Sequence, residues 1–444
     1  MVVIDEKIDS VNCKPTNSEY NPYEHRKVLK PSSDIRATAN IIKASLGSGL
    51  LAGPLAFSNS GWAVGILGTM VVGLICGHCI HILVKTSRGC CKIDKKPQLN
   101  YAETCEAAFK HGPKCLRRFS KAASIFAEFS LLSTYVGVCC IYTVLISDSI
   151  KQLIDRYIST VDLPVEYYCL MILIPLCLLC QVKYLKWLAL FSILANFFLV
   201  ATYVVCLYYI FGDEIVFTDK KIVGDPARFP AFISTVIFAM EGIGLVMPVE
   251  NAMKKPQHFL GCPSVLVVAM SAIVFFYSTL GLFGYFRYGD LARGSITLNL
   301  PIDDWPAVCA KIFIALSIFF TYPLQFYVVF DIFKRYTDPY LKDNCKNITD
   351  IGGRIVGVCL CVAIGIALPL LEQIINLVGA CFYSILGLII PGIVETVFRY
   401  NNLGKFKWVL IKNIIIVAFG LTSLISGCTV TVLDIIAILN KRTE

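Results

Sequence analysis

Charged residues are scarce in this chain of 444 residues. Only 16% of the residues are charged, 56% are apolar, and the mean hydropathy is +0.69. Because a soluble domain carries about 25% charged residues, this composition excludes a disordered chain and a nucleic-acid-binding domain. The sequence also lacks a Gly-Lys-Ser/Thr phosphate loop, a metal-ligand spacing and a catalytic cluster. We therefore expect no ATP-driven transport, no enzyme activity, no metal and no cofactor.

The twenty cysteines do not indicate a disulfide scaffold. Most of them lie inside long apolar runs, where cysteine behaves as a small apolar residue, so we expect them to be mostly reduced. The first 34 residues are polar, which argues against a cleavable signal peptide and favours a disordered tail over residues 1–34.

Long apolar runs recur along the rest of the chain, and each could cross about 30 Å of hydrocarbon as a helix of about 20 residues. They are too long for barrel strands, so we predict an all-α integral membrane protein with a transmembrane domain over residues 35–438. The predicted spans are 35–58, 62–84, 119–147, 166–182, 186–211, 230–251, 264–286, 305–331, 354–371, 373–397 and 407–434.

The distribution of basic residues predicts the orientation. With the N-terminus inside, 29 of the 40 Lys and Arg residues fall on the inner side and nine on the outer side, while Lys43 and Lys311 lie within spans. The N-terminus is therefore expected in the cytosol, and residues 439–444 outside or in a lumen.

Residues 100–112 predict a short helix on the inner interface, with a solvated connector as the alternative.

Two spans carry a Gly-x-Gly near their centre and a proline four or five residues later. They are Gly47 to Gly49 with Pro54, and Gly242 to Gly244 with Pro248. Since glycine and proline are costly in a helix interior, we predict that both spans unwind at these glycines. The alternative is that the glycines only allow close helix packing.

Paired interruptions are the best sequence indication of a transporter binding site. The first lies in span 1 and the second in span 6, which favours an inverted repeat of spans 1–5 and 6–10 with span 11 added. Half-helices with free N–H and C=O groups at the membrane centre suit the carboxylate and ammonium of a zwitterion. The sequence therefore predicts an α-amino acid as ligand.

Ionisable residues within spans are functional candidates. Glu241 lies beside the second interruption, where it could carry a proton or act as a neutral helix cap. Glu128 in span 3 could relay a proton, pair with Lys43 or Lys311, or make a structural hydrogen bond. Glu372, between spans 9 and 10, could gate the outer vestibule.

Three segments resemble the proton-coupled amino acid transporter family of the amino acid/auxin permease superfamily. They are GSGLLAGPLA (47–56), FAMEGIGLVMPVEN (238–251) and LEQIINLVGA (371–380). The resemblance covers residues 35–435. It implies eleven spans, a leucine-transporter-like 5+5 inverted repeat, and alternating access that moves small neutral amino acids with a proton at the plasma membrane or in endosomes and lysosomes.

One position departs from the family. Its best-known members carry a histidine three residues before the residue matched by Lys43, and Asn40 stands there in this chain. Proton coupling then rests on Glu241 or another acid, or transport is facilitative. The resemblance also implies an external disulfide, for which Cys169 and Cys309 are the candidates.

We therefore expect a secondary transporter of small neutral amino acids. The alternatives are a facilitative transporter and a sensor that signals to nutrient-signalling partners at the cytosolic face. Phe238 is a candidate gate over the ligand. The candidate substrate-binding residues are Ser45, Gly47, Ser48, Gly49, Leu50, Phe238, Glu241, Gly242, Gly244, Tyr135 and Thr321.

Overall fold

The fold is a helical bundle, seen in a computed structural model that describes residues 20–26, 31–45, 47–158, 163–182, 185–212, 220–240, 242–261, 264–340 and 343–443. The helices are α1 (Asp34–Ser45), α2 (Ser48–Leu51), α3 (Gly53–Ser60), α4 (Trp62–Asp94), α5 (Tyr101–Lys110), α6 (Ser120–Tyr157), α7 (Val165–Cys180), α8 (Leu185–Phe211), α9 (Phe229–Met240), α10 (Ile243–Asn251), α11 (Val265–Tyr288), α12 (Trp305–Thr337), α13 (Asp343–Ala367), α14 (Leu371–Leu377), α15 (Ile390–Phe398) and α16 (Trp408–Thr443).

Within these described residues, nine helical segments are long and apolar enough to cross a membrane. The shorter apolar helix α7 and the interrupted α1–α3 segment cover the two remaining predicted spans. The structure thus confirms an all-helical membrane protein, while the total of eleven spans and the 5+5 arrangement stay predictions.

The first span is interrupted where the sequence predicts it. Helix α1 ends at Ser45, Gly47 has a non-helical ψ of −130°, and α2 begins at Ser48. Gly49 already belongs to α2, so the interruption is shorter than the predicted one. Pro54 lies in the first turn of α3, where its missing N–H costs little.

The sixth span is interrupted in the same way. Helix α9 ends at Met240, and α10 begins at Ile243 after Gly242. Gly244 lies within the first turn of α10, and Pro248 lies one turn later. Here too the interruption lies at the first glycine of the pair and not across both.

The two interrupted helices contact each other through backbone atoms. A Cβ atom added to Gly49 would lie 2.8 Å from the Cα atom of Ala239, closer than real Cβ contacts allow. One turn later, a Cβ atom on Gly53 would lie 3.1 Å from the Cα atom of Gly281 in α11. Glycine is therefore needed for packing as well as for the interruption.

Helix α5 confirms the helix predicted over residues 100–112. Asn100 and Glu103 form a capping box at its start. Its apolar face packs against α6 and α15, and Tyr101 and Cys105 are buried. The connector alternative is therefore wrong, because this segment is a helix that buries one face against its neighbours.

We use two names for the ends of the bundle. The N-terminal face carries residues 20–33 together with the ends of α4, α10 and α12. The opposite face carries residues 289–300, which we call the 289–300 loop, and the start of α12.

Candidate functional site

A small cavity lies beside the second interruption. Its volume is about 10 Å³, which suits a single water molecule and is too small for an amino acid. The lining residues are Thr134, Tyr135, Gly242, Gly244, Leu245, Gln325, Tyr383 and Leu386. None of them is charged, so the polar groups facing the cavity are hydroxyl, amide and backbone groups.

Gln325 and Tyr142 connect this cavity with the first interruption. The Gln325 Nε2 atom donates a hydrogen bond to the Tyr142 hydroxyl at 3.4 Å. That hydroxyl lies 3.4 Å from the position a Cβ atom on Gly47 would take. The two interruptions therefore face one polar region between α6 and α12.

Two polar atoms near this region are buried without a hydrogen-bond partner. They are the Oε1 atom of Gln325 and the Oγ atom of Ser45 at the end of α1. Because an unpaired buried polar atom is costly, these atoms mark places where a polar ligand would add hydrogen bonds.

Eight of the predicted substrate-binding residues fall into three groups. Tyr135, Gly242 and Gly244 line the cavity, and Gly47 approaches it through Tyr142. Gly49 and Leu50 are buried in the contact of α2 with the bundle. Glu241 and the Ser48 side chain lie outside the described part of the structure.

Phe238 lies behind the cavity and not directly on it. Its ring meets the Tyr383 ring edge-on, with centroids 5.8 Å apart, and Tyr383 lines the cavity. Thr321 does not line the cavity. Its hydroxyl donates to the Ser317 carbonyl within α12. Gln325, one turn further along α12, occupies that position instead.

Sequence reasoning missed Tyr142 and Gln325. Tyr142 follows Tyr135 by seven residues on α6, and Gln325 follows Thr321 by four on α12, so helical spacing from two candidate residues could have indicated both. The signal was weak because spans 3 and 8 contain many polar residues at such spacings.

Glu128 is not paired with Lys43 or Lys311. Its carboxylate accepts a hydrogen bond from Arg335 at 2.9 Å and another from the Tyr336 hydroxyl. Lys43 donates to the Ser192 carbonyl instead. Glu128 therefore stabilises the N-terminal face by joining α6 to the end of α12.

Cys169 and Cys309 are both free thiols, which contradicts the suggested disulfide. Cys169 is buried on α7 beside the Ser147 side chain. Cys309 is half-buried on α12.

Glu372 lies at the start of α14 on the opposite face, near the ion pair of Arg228 with Asp434. A Cβ atom added to Gly294 of the 289–300 loop would lie 3.2 Å from the backbone nitrogen of Glu372. This position is compatible with the predicted gate.

Residues 20–26, which we call the N-terminal clasp, pack against the C-terminal end of α10, so this part of the predicted disordered tail is structured. Arg26 forms an ion pair of 3.1 Å with Glu250, and Arg88 of α4 forms one of 3.2 Å with the other carboxylate oxygen. Both guanidinium groups lie over the Tyr23 ring. Burial raises the pKa of the Tyr23 hydroxyl above its usual range, so this phenol stays neutral beside the carboxylate.

The backbone strengthens this contact. The Ser32 N–H donates to the Ala252 carbonyl, and the Lys254 N–H donates to the Ser32 carbonyl, each at 2.8 Å. The half-helix that follows the second interruption is thus tied to the N-terminal segment by ionic and backbone bonds.

Comparisons with known proteins agree with this architecture. A solved structure titled "Inward facing conformation of Mhp1" superposes with a TM-score of 0.59 at 13% identity, over 98% of this chain and 95% of that one. At this identity the likeness shows the fold alone, a leucine-transporter-like bundle.

Two curated relatives are named as amino acid transporters. The chain is 37% identical over 94% of its length to the "Proton-coupled amino acid transporter-like protein pathetic" of Drosophila melanogaster, of which it spans 88%. It is 27% identical over 72% of its length to the "Vacuolar amino acid transporter 4" of Saccharomyces cerevisiae, of which it spans 44%.

A family model agrees with these relatives. Residues 30–433 match the model described as "Transmembrane amino acid transporter protein". The chain is therefore a multi-pass membrane transport protein and not an enzyme. It belongs to the transmembrane amino acid transporter family.

Proposed function

We propose that this chain transports small neutral amino acids by alternating access, with the substrate bound between the two helix interruptions. The observation that carries the proposal is the uncharged polar region that faces both Gly47 and Gly242. A zwitterion needs one positive and one negative partner, and the ends of interrupted helices supply both as backbone dipoles. A cavity whose described lining residues carry no charge suits a ligand without net charge.

The size of the cavity supports a conformational cycle. A space of about 10 Å³ cannot hold even a small amino acid, so the helices around it must separate when the substrate enters. The N-terminal clasp closes one face over α10, and the 289–300 loop packs over the other, between α3, α6 and α12. Alternating access then consists of releasing one closure while the other stays in place.

The sequence supports an orientation, and a relative supports a type of membrane. The excess of basic residues predicts that the N-terminal face lies in the cytosol. The vacuolar relative favours an internal membrane, the endosome or lysosome, over the plasma membrane.

Glu241 is the acid that we propose for proton coupling, since it adjoins Gly242 in the sequence. Glu128 fits this role less well, because it is held in an ion pair with Arg335 at the N-terminal face. The proposed cycle requires no cofactor, because a proton gradient can drive it.

Uptake of radiolabelled alanine and proline into proteoliposomes tests the site. We expect Gln325→Leu to reduce uptake and raise the apparent KM by about tenfold, the effect of one lost hydrogen bond to a charged group of the ligand. Thr321→Val, one helical turn away, should change the KM much less. Equal effects of both variants, or uptake of organic cations without amino acids, would reject the site.

The role of Glu241 in proton coupling can be tested separately. Glu241→Gln should weaken the stimulation of net uptake by low pH while amino acid exchange continues. An unchanged pH dependence would remove Glu241 from the proton pathway.

A second function, an amino acid sensor, is favoured by the N-terminal clasp. The clasp joins the cytosolic tail to the half-helix that begins at the substrate site, so ligand binding could release the tail to a signalling partner. Substrate binding without flux in proteoliposomes would support this alternative over transport.

A further inference from the structure

Lys311 is a fully buried lysine that the proposed transport mechanism has not used. It lies six residues into α12, about 9 Å along the helix from its start, and its side chain is 0% exposed. A charged group in a membrane helix is expensive and usually has a functional partner. The contacts of Lys311 must therefore account for the burial of its amino group.

The partners of Lys311 are two neutral oxygen atoms. Its Nζ atom donates to the Gln152 Oε1 atom and to the Thr297 carbonyl oxygen, each at 2.7 Å. No carboxylate among the described residues lies within ion-pair distance of it. A neutral amine has two N–H donors, which these two acceptors satisfy, whereas an ammonium group would bring a third donor and an uncompensated charge.

The ionisable groups around Lys311 do not supply the missing negative charge. Arg293 of the 289–300 loop and the Cys206 thiol of α8 face the amine. Asp148 of α6, one turn before Gln152, faces Arg293 and Lys151 instead. The nearby guanidinium adds repulsion to the cost of an ammonium in this pocket.

Lys311 also fastens the 289–300 loop to the bundle. Thr297 belongs to this loop, and the Gln152 Nε2 atom donates to the next carbonyl, that of Leu298, at 3.3 Å. Ser295 and Ile296 of the loop are fully buried. The amine and the Gln152 amide thus hold the loop shut between α6 and α12.

We infer that Lys311 is a proton-binding site of the transport cycle, and that its protonation releases the 289–300 loop. The closed loop accommodates the neutral amine, and the protonated form needs water, which reaches it when the loop opens. Since the open form binds the proton more tightly than the closed form, low pH on the opposite face shifts the population towards the open form. Acid on that face therefore favours substrate entry from the same side.

This inference rests on the proposed amino acid transport and deepens it. It supplies a titratable group on the proposed entry path. Glu241 and Lys311 would act at different steps, the first at the substrate site and the second at the entrance.

The test is alanine uptake into proteoliposomes as a function of pH on the opposite face. The wild type should respond by up to about tenfold per pH unit, the limit for one linked proton. Lys311→Met, which cannot bind a proton, and Lys311→Arg, which stays charged, should both respond less steeply to pH than the wild type, with only the response of Glu241 remaining. Lys221→Met, which removes an exposed lysine paired with Asp290 of the same loop, should keep the wild-type profile.

A wild-type pH profile in Lys311→Met would overturn the inference. Alanine counterflow at constant pH separates this outcome from failure of the transport proposal, because counterflow tests amino acid movement without a net proton flux. Absent counterflow in the wild type would reject transport itself.

A second measurement covers the case in which the Lys311 variants fail to fold. Ser295→Cys places a thiol on the buried part of the loop, and an impermeant maleimide applied from the opposite face should label it faster at low pH. The protein without this substitution gives the background from native cysteines. Labelling that is independent of pH would contradict the proton-linked opening.

Discussion

Gly49→Ala provides the sharpest test of the contact between the two interrupted helices. The added methyl group would lie 2.8 Å from the Ala239 Cα atom, whereas carbon atoms in contact are about 3.5–4.0 Å apart. The obstacle is backbone, so no side-chain rotation relieves it, and α2 and α9 have to separate by about 1 Å.

The energy of this change can be bracketed. Overpacking costs about 1–3 kcal/mol, and replacing glycine by alanine inside a helix returns up to about 1 kcal/mol. When the full amount of about 1 kcal/mol is returned, the remaining loss is at most about 2 kcal/mol. If a loss of about 2 kcal/mol is expressed entirely in transport, the rate falls by about 30-fold.

The assay is initial alanine uptake per mole of reconstituted protein, with thermal stability measured in parallel. Gly365→Ala on α13 is the matched control, because its added methyl group would meet Thr143 at an ordinary 3.5 Å. We expect wild-type uptake from the control. Wild-type uptake and KM in Gly49→Ala would refute the argument that the interruptions require this close backbone approach.

Three further predictions concern the cavity, the clasp and the orientation. Gly244→Ala places a methyl group 2.5 Å from the Tyr135 hydroxyl oxygen, so it should raise the KM, and Tyr135→Phe in the same chain should restore part of the loss in a double-mutant cycle. Arg26→Ala leaves a buried carboxylate of α10 short of one partner and should destabilise the N-terminal face by about 3 kcal/mol, seen as faster hydrogen exchange in α10, while the exposed Arg36→Ala should not. Asn347, in the sequon before Ile348 and Thr349, should carry no glycan in cells, because the orientation predicted from the basic loops puts it in the cytosol. A glycosylated chain on a gel would reverse the predicted topology.

Several features of the fold could be predicted from local sequence. Long apolar runs predicted the membrane helices because a helix satisfies its own backbone hydrogen bonds in lipid. Glycine and proline predicted the interruptions because they weaken a helix wherever it lies. Asn100 and Glu103 set the start of α5, since a capping box involves only neighbouring residues.

The partners of distant side chains were harder to predict. Glu128 pairs with Arg335 and Tyr336, more than 200 residues away, and no local pattern indicates that pairing. The same reason explains why Thr321 and not Gln325 was predicted at the cavity. The two residues lie one turn apart on α12, and the sequence does not show at which depth along this helix the cavity lies. Cys169 and Cys309 were paired through a family resemblance, and the structure leaves both thiols free.

The sequence by itself determined that the chain enters the membrane as helices and that two of them break near their centres, because burial in lipid and backbone geometry act over short stretches. Only the tertiary structure decided which groups face the breaks and which partners the buried side chains of Arg26, Glu250 and Lys311 contact. These contacts join helices from distant parts of the chain. A small change in helix packing decides whether a hydrogen bond of about 3 Å forms between them.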